Sequence, residues 1–378
     1  MLKILRVLPL LPLPHAFMNN EESLAVGGQA VMEGVMMRNG DNLSIAVRQG
    51  QIAPAEQKSA PKADTAAAAN EAGANTAPAQ APDGENPGRI VVRNRPWFTI
   101  TRRPFFKRPY IRGFPLLLET MVNGIKALNI SAELAMEDAG EELKPWQLLV
   151  TLGAALLFAV GLFVVLPHLL TIGLSFFGIS GDVEGFSFHL WDGLIKFAIF
   201  ILYIWIISRL PEIRRVFQYH GAEHKAISAY ESNITPVTLE AAAIQSRLHP
   251  RCGTTFLLFV LSIAILMHVM LVPLLMLIWT PSGPFIKHFV VILLKLGLML
   301  PISALAYEAI RLAARLGEGL SGFLLRAPGM LLQRMTTREP DYHQIEVALV
   351  ALNEALQAGS DFEKAPVRTA PYTVLAND

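Results

Sequence analysis

TTFLLFVLSIAILMHVMLVPLLMLIW, residues 254 to 279, holds a single ionisable side chain, His268, in 26 positions. A hydrocarbon core about 30 Å thick needs roughly 20 such residues in helical form, because no backbone amide can be left unsatisfied there. Working outward, three further stretches meet the same condition: Trp146 to Ile172, Leu190 to Leu210, and Ile286 to Ile310. Tryptophans at 146, 191, 205 and 279 stand near the ends, as interfacial belts favour. The whole chain agrees: 52% of its 378 residues are hydrophobic, 17% are charged and the mean hydropathy is +0.40. Such values exclude an ordinary soluble domain. The single cysteine, Cys252, excludes an internal disulfide framework. The opening MLKILRVLPLLPLP has the basic start of a signal peptide, but Pro9, Pro12 and Pro14 and the lack of a small-residue cleavage site argue against one.

The net charge of +1 conceals an uneven distribution of Lys and Arg, and that distribution orients a bundle in a bilayer. Basic residues crowd the stretch before the first span (Arg89 to Arg112), the second connection (Arg214, Arg215, Lys225, Arg247, Arg251) and the tail (Arg311 to Arg338). The connections 173–189 and 280–285 have none. Both termini and the second connection are therefore expected on the cytoplasmic side of the inner membrane. Two ionisable groups are read inside spans: Lys295, expected to snorkel to the outer interface, and His268, expected neutral and hydrogen-bonded between helices.

The expected fold is mainly α and integral to the membrane: a four-helix transmembrane bundle with a small cytoplasmic β unit near the N-terminus and amphipathic helices. Residues 1–23 form a leading segment. The β unit spans 24–112, with AVMEGVMM and LSIAVR joined through Asn39-Gly40 as a hairpin and RIVVRNR as a third strand. Residues 53–88, rich in Ala and Pro, interrupt it as a disordered insert. Residues 113–145 hold an interfacial helix, and 146–316 the four spans with the loop 211–253. Residues 317–360 hold C-terminal helices, one starting near Pro340, and 361–378 a disordered tail. TRRPFFKRPYIRG, just ahead of the interfacial helix, suits anionic lipid headgroups rather than nucleic acid. A membrane-protein partner is a further expectation.

The chemistry concentrates in the loop. FQYHGAEHKAI, residues 217 to 227, places His220 and His224 one helical turn apart on one face, with Glu223 to the side. The pattern H-x-x-E-H inverts the zincin motif, in which two histidines hold zinc and the glutamate polarises water. His249 and Cys252 add an imidazole and a thiolate in the same connection. His220, His224 and one of His249 or Cys252 leave an open coordination position, whereas all four make a closed structural site. Arg251 is a candidate to hold an anionic group.

Five strings, GGQAVMEGVMMR (27–38), RGFPLLLETMVNG (112–124), QYHGAEHKAI (218–227), SRLHPRCGTTF (246–256) and LLQRMTTREPD (331–341), together resemble the YqhQ-like bacterial membrane proteins, described as predicted metal-dependent enzymes. The resemblance implies a multipass inner-membrane protein with a suspected metal site, the family's histidine motif falling on His220, Glu223 and His224 and its second motif on His249, Arg251 and Cys252. Taken with the residues themselves, the leading expectation is a divalent metal, zinc by preference, at His220, His224, His249 and Cys252, activating water for hydrolysis at the membrane surface with Glu223 as general base. The resemblance also draws attention to Glu33 and Glu119, for which structural roles are expected. A non-catalytic accessory subunit is the competing expectation, and a transporter, from His268 and Lys295, the third.

Overall fold

The structure is a computed structural model and describes residues 26–50, 88–137, 145–315 other than 233, 235 and 251, 319–357, 369 and 371–375. The leading segment 1–23, residues 53–87 of the expected insert, and Arg251 lie outside the described residues.

Five strands form one sheet in sequence order: β1 (Val26–Val31), β2 (Gly34–Asn39), β3 (Asn42–Gln49), β4 (Arg89–Pro96) and β5 (Tyr372–Leu375). The first four pair antiparallel and β5 joins β4 in parallel. Two corrections follow. The expected strand AVMEGVMM is broken by a two-residue turn at Met32-Glu33, so β1 and β2 are already a hairpin, closed where Val31 faces Gly34. Glu33 adopts φ 52° to make it, a conformation that costs a non-glycine residue and that alternation alone does not reveal. Residues 372–375, expected in a disordered tail, instead pair from Ile90↔Tyr372 to Arg93↔Leu375 and cover the edge of β4.

The sheet is buried on both faces, so β3 is buried from Leu43 to Gln49 and even its polar Ser44, Arg48 and Gln49 lie inside. Leu43, Ile45, Val47 and Val91 pack on α1 (Gly113–Glu137) through Ala127 and Leu134. On the other face Val35, Met37, Ala46, Ile90 and Val92 pack on α5 (Pro211–Glu231) and α11 (Tyr342–Gln357). Asp341 starts α11: its carboxylate accepts the Gln344 N–H at 2.8 Å while the Gln344 side chain accepts the Asp341 N–H at 3.0 Å. This reciprocal cap satisfies amide donors that the first helical turn leaves open.

Four helices are long and apolar enough to cross a membrane: Leu149–Phe176, Phe186–Ile207, Leu257–Ile278 and Pro284–Ala309. The first joins α2 (Pro145–Val160) to α3 (Leu166–Phe176) through a π turn at Gly161–Val165. The second is α4 (Phe186–Ile207), continued into α5 after Ser208–Leu210; the third lies in α7 (Gly253–Ile278). The fourth combines α8 (Pro284–Gly297) with α9 (Met299–Arg315). A short α6 (Leu239–Ala243) sits in the second connection, and α10 (Leu320–Thr336) leads to α11. The bundle is inside out relative to a soluble core. Leu157, Phe176, Leu277 and Phe285 are largely exposed, whereas Asp192, Lys295 and His268 are buried. Lys295 does not snorkel: its ammonium lies 2.7 Å from the Asp192 carboxylate, whose attraction outweighs the reach of a flexible stem to water. His268 is buried, with the Lys295 backbone of the neighbouring helix as a loosely aligned hydrogen-bond partner.

Candidate metal centre

The second apolar helix ends at Ile207, and Pro211 restarts the chain as α5, a first-turn position where its missing N–H costs nothing. Buried from Gly221 to Ile227, α5 has the sheet on one side and the segment 336–340 on the other. Gly221 permits the second contact. A Cβ there would stand 2.2 Å from the Arg338 carbonyl oxygen, and the Arg338 N–H donates to the Phe217 carbonyl at 2.8 Å. Lys225, 1% exposed, donates to the carbonyls of Ala243 and Gln245 at 2.7 Å each and pairs with Glu339 at 2.8 Å. Three separate segments are thereby fixed around one helix face.

That face carries His220 and His224, with ring centroids 4.4 Å apart. The Nδ1 of His220 lies 2.8 Å from the Thr336 carbonyl, and the Nδ1 of His224 lies 2.6 Å from the Arg247 carbonyl. A carbonyl only accepts, so each Nδ1 carries the proton and each Nε2 keeps its lone pair for a Lewis acid. Cys252 Sγ sits 3.2 Å from His220 Nε2. One donor atom from each of His220, His224 and Cys252 falls within 4.8 Å of the others. The Nε2 of His224 is buried and faces the Cys252 thiol, so both imidazoles turn their free nitrogens toward the same sulfur. Burial also holds the His224 imidazole below its ordinary pKa, in the neutral form that a metal requires. The donor set therefore fits a divalent ion of zinc character: two imidazoles, one thiolate, and backbone carbonyls orienting both rings.

His249 stands apart from the three. Its Nε2 is 3.2 Å from the Glu231 carboxylate, and its ring centroid lies 5.6 Å from that of His224. Its backbone is clasped by Gln333, whose side chain accepts the His249 N–H and donates to the His249 carbonyl, both at 2.8 Å. Arg247 anchors the same turn through the carbonyl and hydroxyl of Thr337, both at 2.7 Å. These contacts give LLQRMTTREPD its purpose. Gln333, Thr337 and Glu339 hold the HPRC turn and α5 together, and a lone glutamine in an amphipathic helix was the signal that sequence reading passed over.

Glu223 is 5% exposed and lies against β1, where a Cβ on Gly28 would meet its Cγ and Oε1 at 2.8 Å. Burial pushes its carboxyl up to about 8, moderated by the nearby His220 and reinforced by Cys252. It is thus coupled electrostatically to both donors and holds its proton near neutrality. Glu33 pairs with Arg215 and accepts from the Tyr219 hydroxyl at 3.4 Å, tying the β1–β2 turn to α5. Glu119 accepts the N–H groups of Ile100 and Thr101. Neither joins the donors.

A family model described as a protein of unknown function (DUF1385) matches residues 108–358, which contain four of the five quoted strings and all three converging donors. The chain is 31% identical over 265 residues to the uncharacterised protein YqhQ of Bacillus subtilis (strain 168), an alignment covering 66% of this chain and 78% of that one. No solved structure matches the chain. The chain belongs to the DUF1385 family.

Proposed function

We propose that this is a four-span protein of the bacterial inner membrane whose cytoplasmic face carries a divalent metal site, zinc by preference, held by His220, His224 and Cys252, and that the site catalyses hydrolysis at the membrane surface. The observation carrying the reading is the pair of Nδ1–H groups committed to the carbonyls of Thr336 and Arg247, which leaves two Nε2 lone pairs beside a thiol. The asymmetry of Lys and Arg between the two ends of the bundle supports the orientation. Bound there, the ion supplies Lewis acidity toward a substrate or water oxygen. Glu223 is the proton carrier, since a carboxyl held at about 8 by burial can both release and recover a proton near neutral pH. Gly28 leaves it room against the sheet.

A second reading, an accessory subunit with a closed structural site, is favoured by His249, whose ring stands beside that of His224 and offers a fourth donor. Glu223→Gln separates the two. A catalytic site keeps its metal and its thermal stability but fails to replace the wild-type chain in cells lacking it. Full replacement by the variant sinks the catalytic reading in favour of the structural one.

A further inference from the structure

The bundle holds a second cluster of ionisable side chains, contributed by all four apolar helices and distinct from the metal donors. Asp192 of α4, with no exposed side-chain area, lies 2.7 Å from Lys295 Nζ of α8 and 3.3 Å from Lys196 Nζ one turn along its own helix. Lys295 Nζ also lies 3.2 Å from His168 Nδ1 of α3, and His168 Nε2 lies 3.0 Å from His288 Nδ1 of α8. His268 of α7 is buried within electrostatic reach of Lys196, Lys295 and Asp192. His189, also on α4, is engaged with the Val183 carbonyl at 3.0 Å.

The cluster lies toward the end of the bundle remote from His220. Pro284 begins its helix at that end, and at 1.5 Å per residue Lys295 sits about 16 Å in while His288 sits only about 6 Å in. His288 is half-buried, and beside it Lys287 pairs with the exposed Glu184.

Two ammonium groups face one carboxylate, so with neutral imidazoles the buried cluster carries one uncompensated positive charge. A structural ion pair needs one lysine. The second makes the burial expensive, and losing a single proton restores neutrality. The members are already in mutual contact, which leaves the proton as the ligand they can exchange.

We propose that this cluster binds one exchangeable proton and that His168 and His288 conduct it to and from the bundle end remote from His220. The transfer balances. Lys295 gives a proton to His168 Nδ1, the His168 Nε2–H passes to His288 Nδ1, and the His288 Nε2–H leaves to water. The residue behind is a neutral amine beside an Asp192–Lys196 pair, and the imidazoles return by exchanging tautomers on reprotonation.

The test uses the full chain in lipid nanodiscs, labelled with 15N at lysine and histidine, with spectra recorded from acid to alkaline pH. The expected result is that the Lys295 nitrogen changes from ammonium to amine while exposed lysines remain ammonium, with His168 and His288 changing at the same midpoint. In Lys196→Met, Lys295 keeps its proton across the range. In His288→Phe, the midpoint persists but proton exchange slows by about a hundredfold, the worth of a positioned transfer group. A Lys295 signal that titrates with the exposed lysines overturns the proposal, as does unchanged exchange in His288→Phe. The acid-limit spectrum reports folding, and should Lys196→Met misfold, the other two arms decide alone.

Discussion

Gly221→Ala is the substitution whose sign the site geometry decides. In the interior of a helix such as α5, alanine in place of glycine ordinarily stabilises by about 1 kcal/mol, because it restricts the unfolded backbone. Here the new Cβ would stand 2.2 Å from the Arg338 carbonyl oxygen and 3.3 Å from Pro340 Cδ, against an ordinary contact of 3.4 Å or more. The obstruction is backbone, so the segment 336–340 must retreat by about 1 Å, and overpacking of this kind costs up to about 3 kcal/mol. Retreat also strains the Arg338 N–H bond to Phe217, worth about 1 kcal/mol. Set against the helix gain, the net is a destabilisation of about 3 kcal/mol. It also withdraws the Thr336 carbonyl that orients His220, and loss of such a contact costs about 10- to 100-fold in metal affinity. Thermal unfolding of the full chain in detergent, followed by circular dichroism, gives the first quantity, and zinc competition with a chelator gives the second. Gly27→Ala, in β1 and with nothing within 4 Å of its Cβ, is the unobstructed control: it leaves metal affinity unchanged and raises stability by up to about 1 kcal/mol. A Gly221→Ala chain as stable as wild type, or more stable, refutes the packing argument.

Two further predictions rest on the same helix. Lys225→Met strands the carbonyls of Ala243 and Gln245 and the Glu339 carboxylate, and lowers stability by about 2–3 kcal/mol, less than the loss of a fully buried partner because Glu339 is a quarter exposed. Lys225→Met with Glu339→Gln loses less than Lys225→Met alone, measured by the same unfolding assay. In metal-stripped protein, Glu223 has its folded value raised to about 8 from an ordinary 4.5, so the unfolded chain releases the proton first. Stability therefore falls as pH rises from about 4.5 to 8 and levels off above, by at most about 5 kcal/mol. Glu223→Gln removes that slope, and an identical pH profile in the variant contradicts the assignment.

Much of this architecture was legible because it depends on local pattern and length. The four long apolar helices announce themselves by about 20 apolar residues apiece, and the pairing of Asn39 with Asn42 across a tight turn follows from Asn39-Gly40-Asp41. His220 and His224 were legible as one helix face. What eluded the sequence depends on distant partners. Whether His249 or Cys252 would join the two histidines was open; Cys252 Sγ lies 3.2 Å from His220 Nε2, while the His249 side chain is engaged by Glu231 and its backbone by Gln333, partners far away in the sequence. β5 is four residues long and is defined only by the edge it covers. The buried charges Asp192 and Lys196 were overlooked as isolated polar residues in an apolar run, although an acid and a base four apart were the available signal. Asp192 in turn explains why Lys295 points inward, a direction no single helix could specify.

The most direct test is the metal content of the purified full chain, measured by elemental analysis after zinc loading and buffer exchange, beside His224→Ala and Cys252→Ser. We expect about one ion per wild-type chain and essentially none in either variant, as a three-donor site demands. Equal metal in all three chains, or none in the wild type, contradicts a centre built from His220, His224 and Cys252.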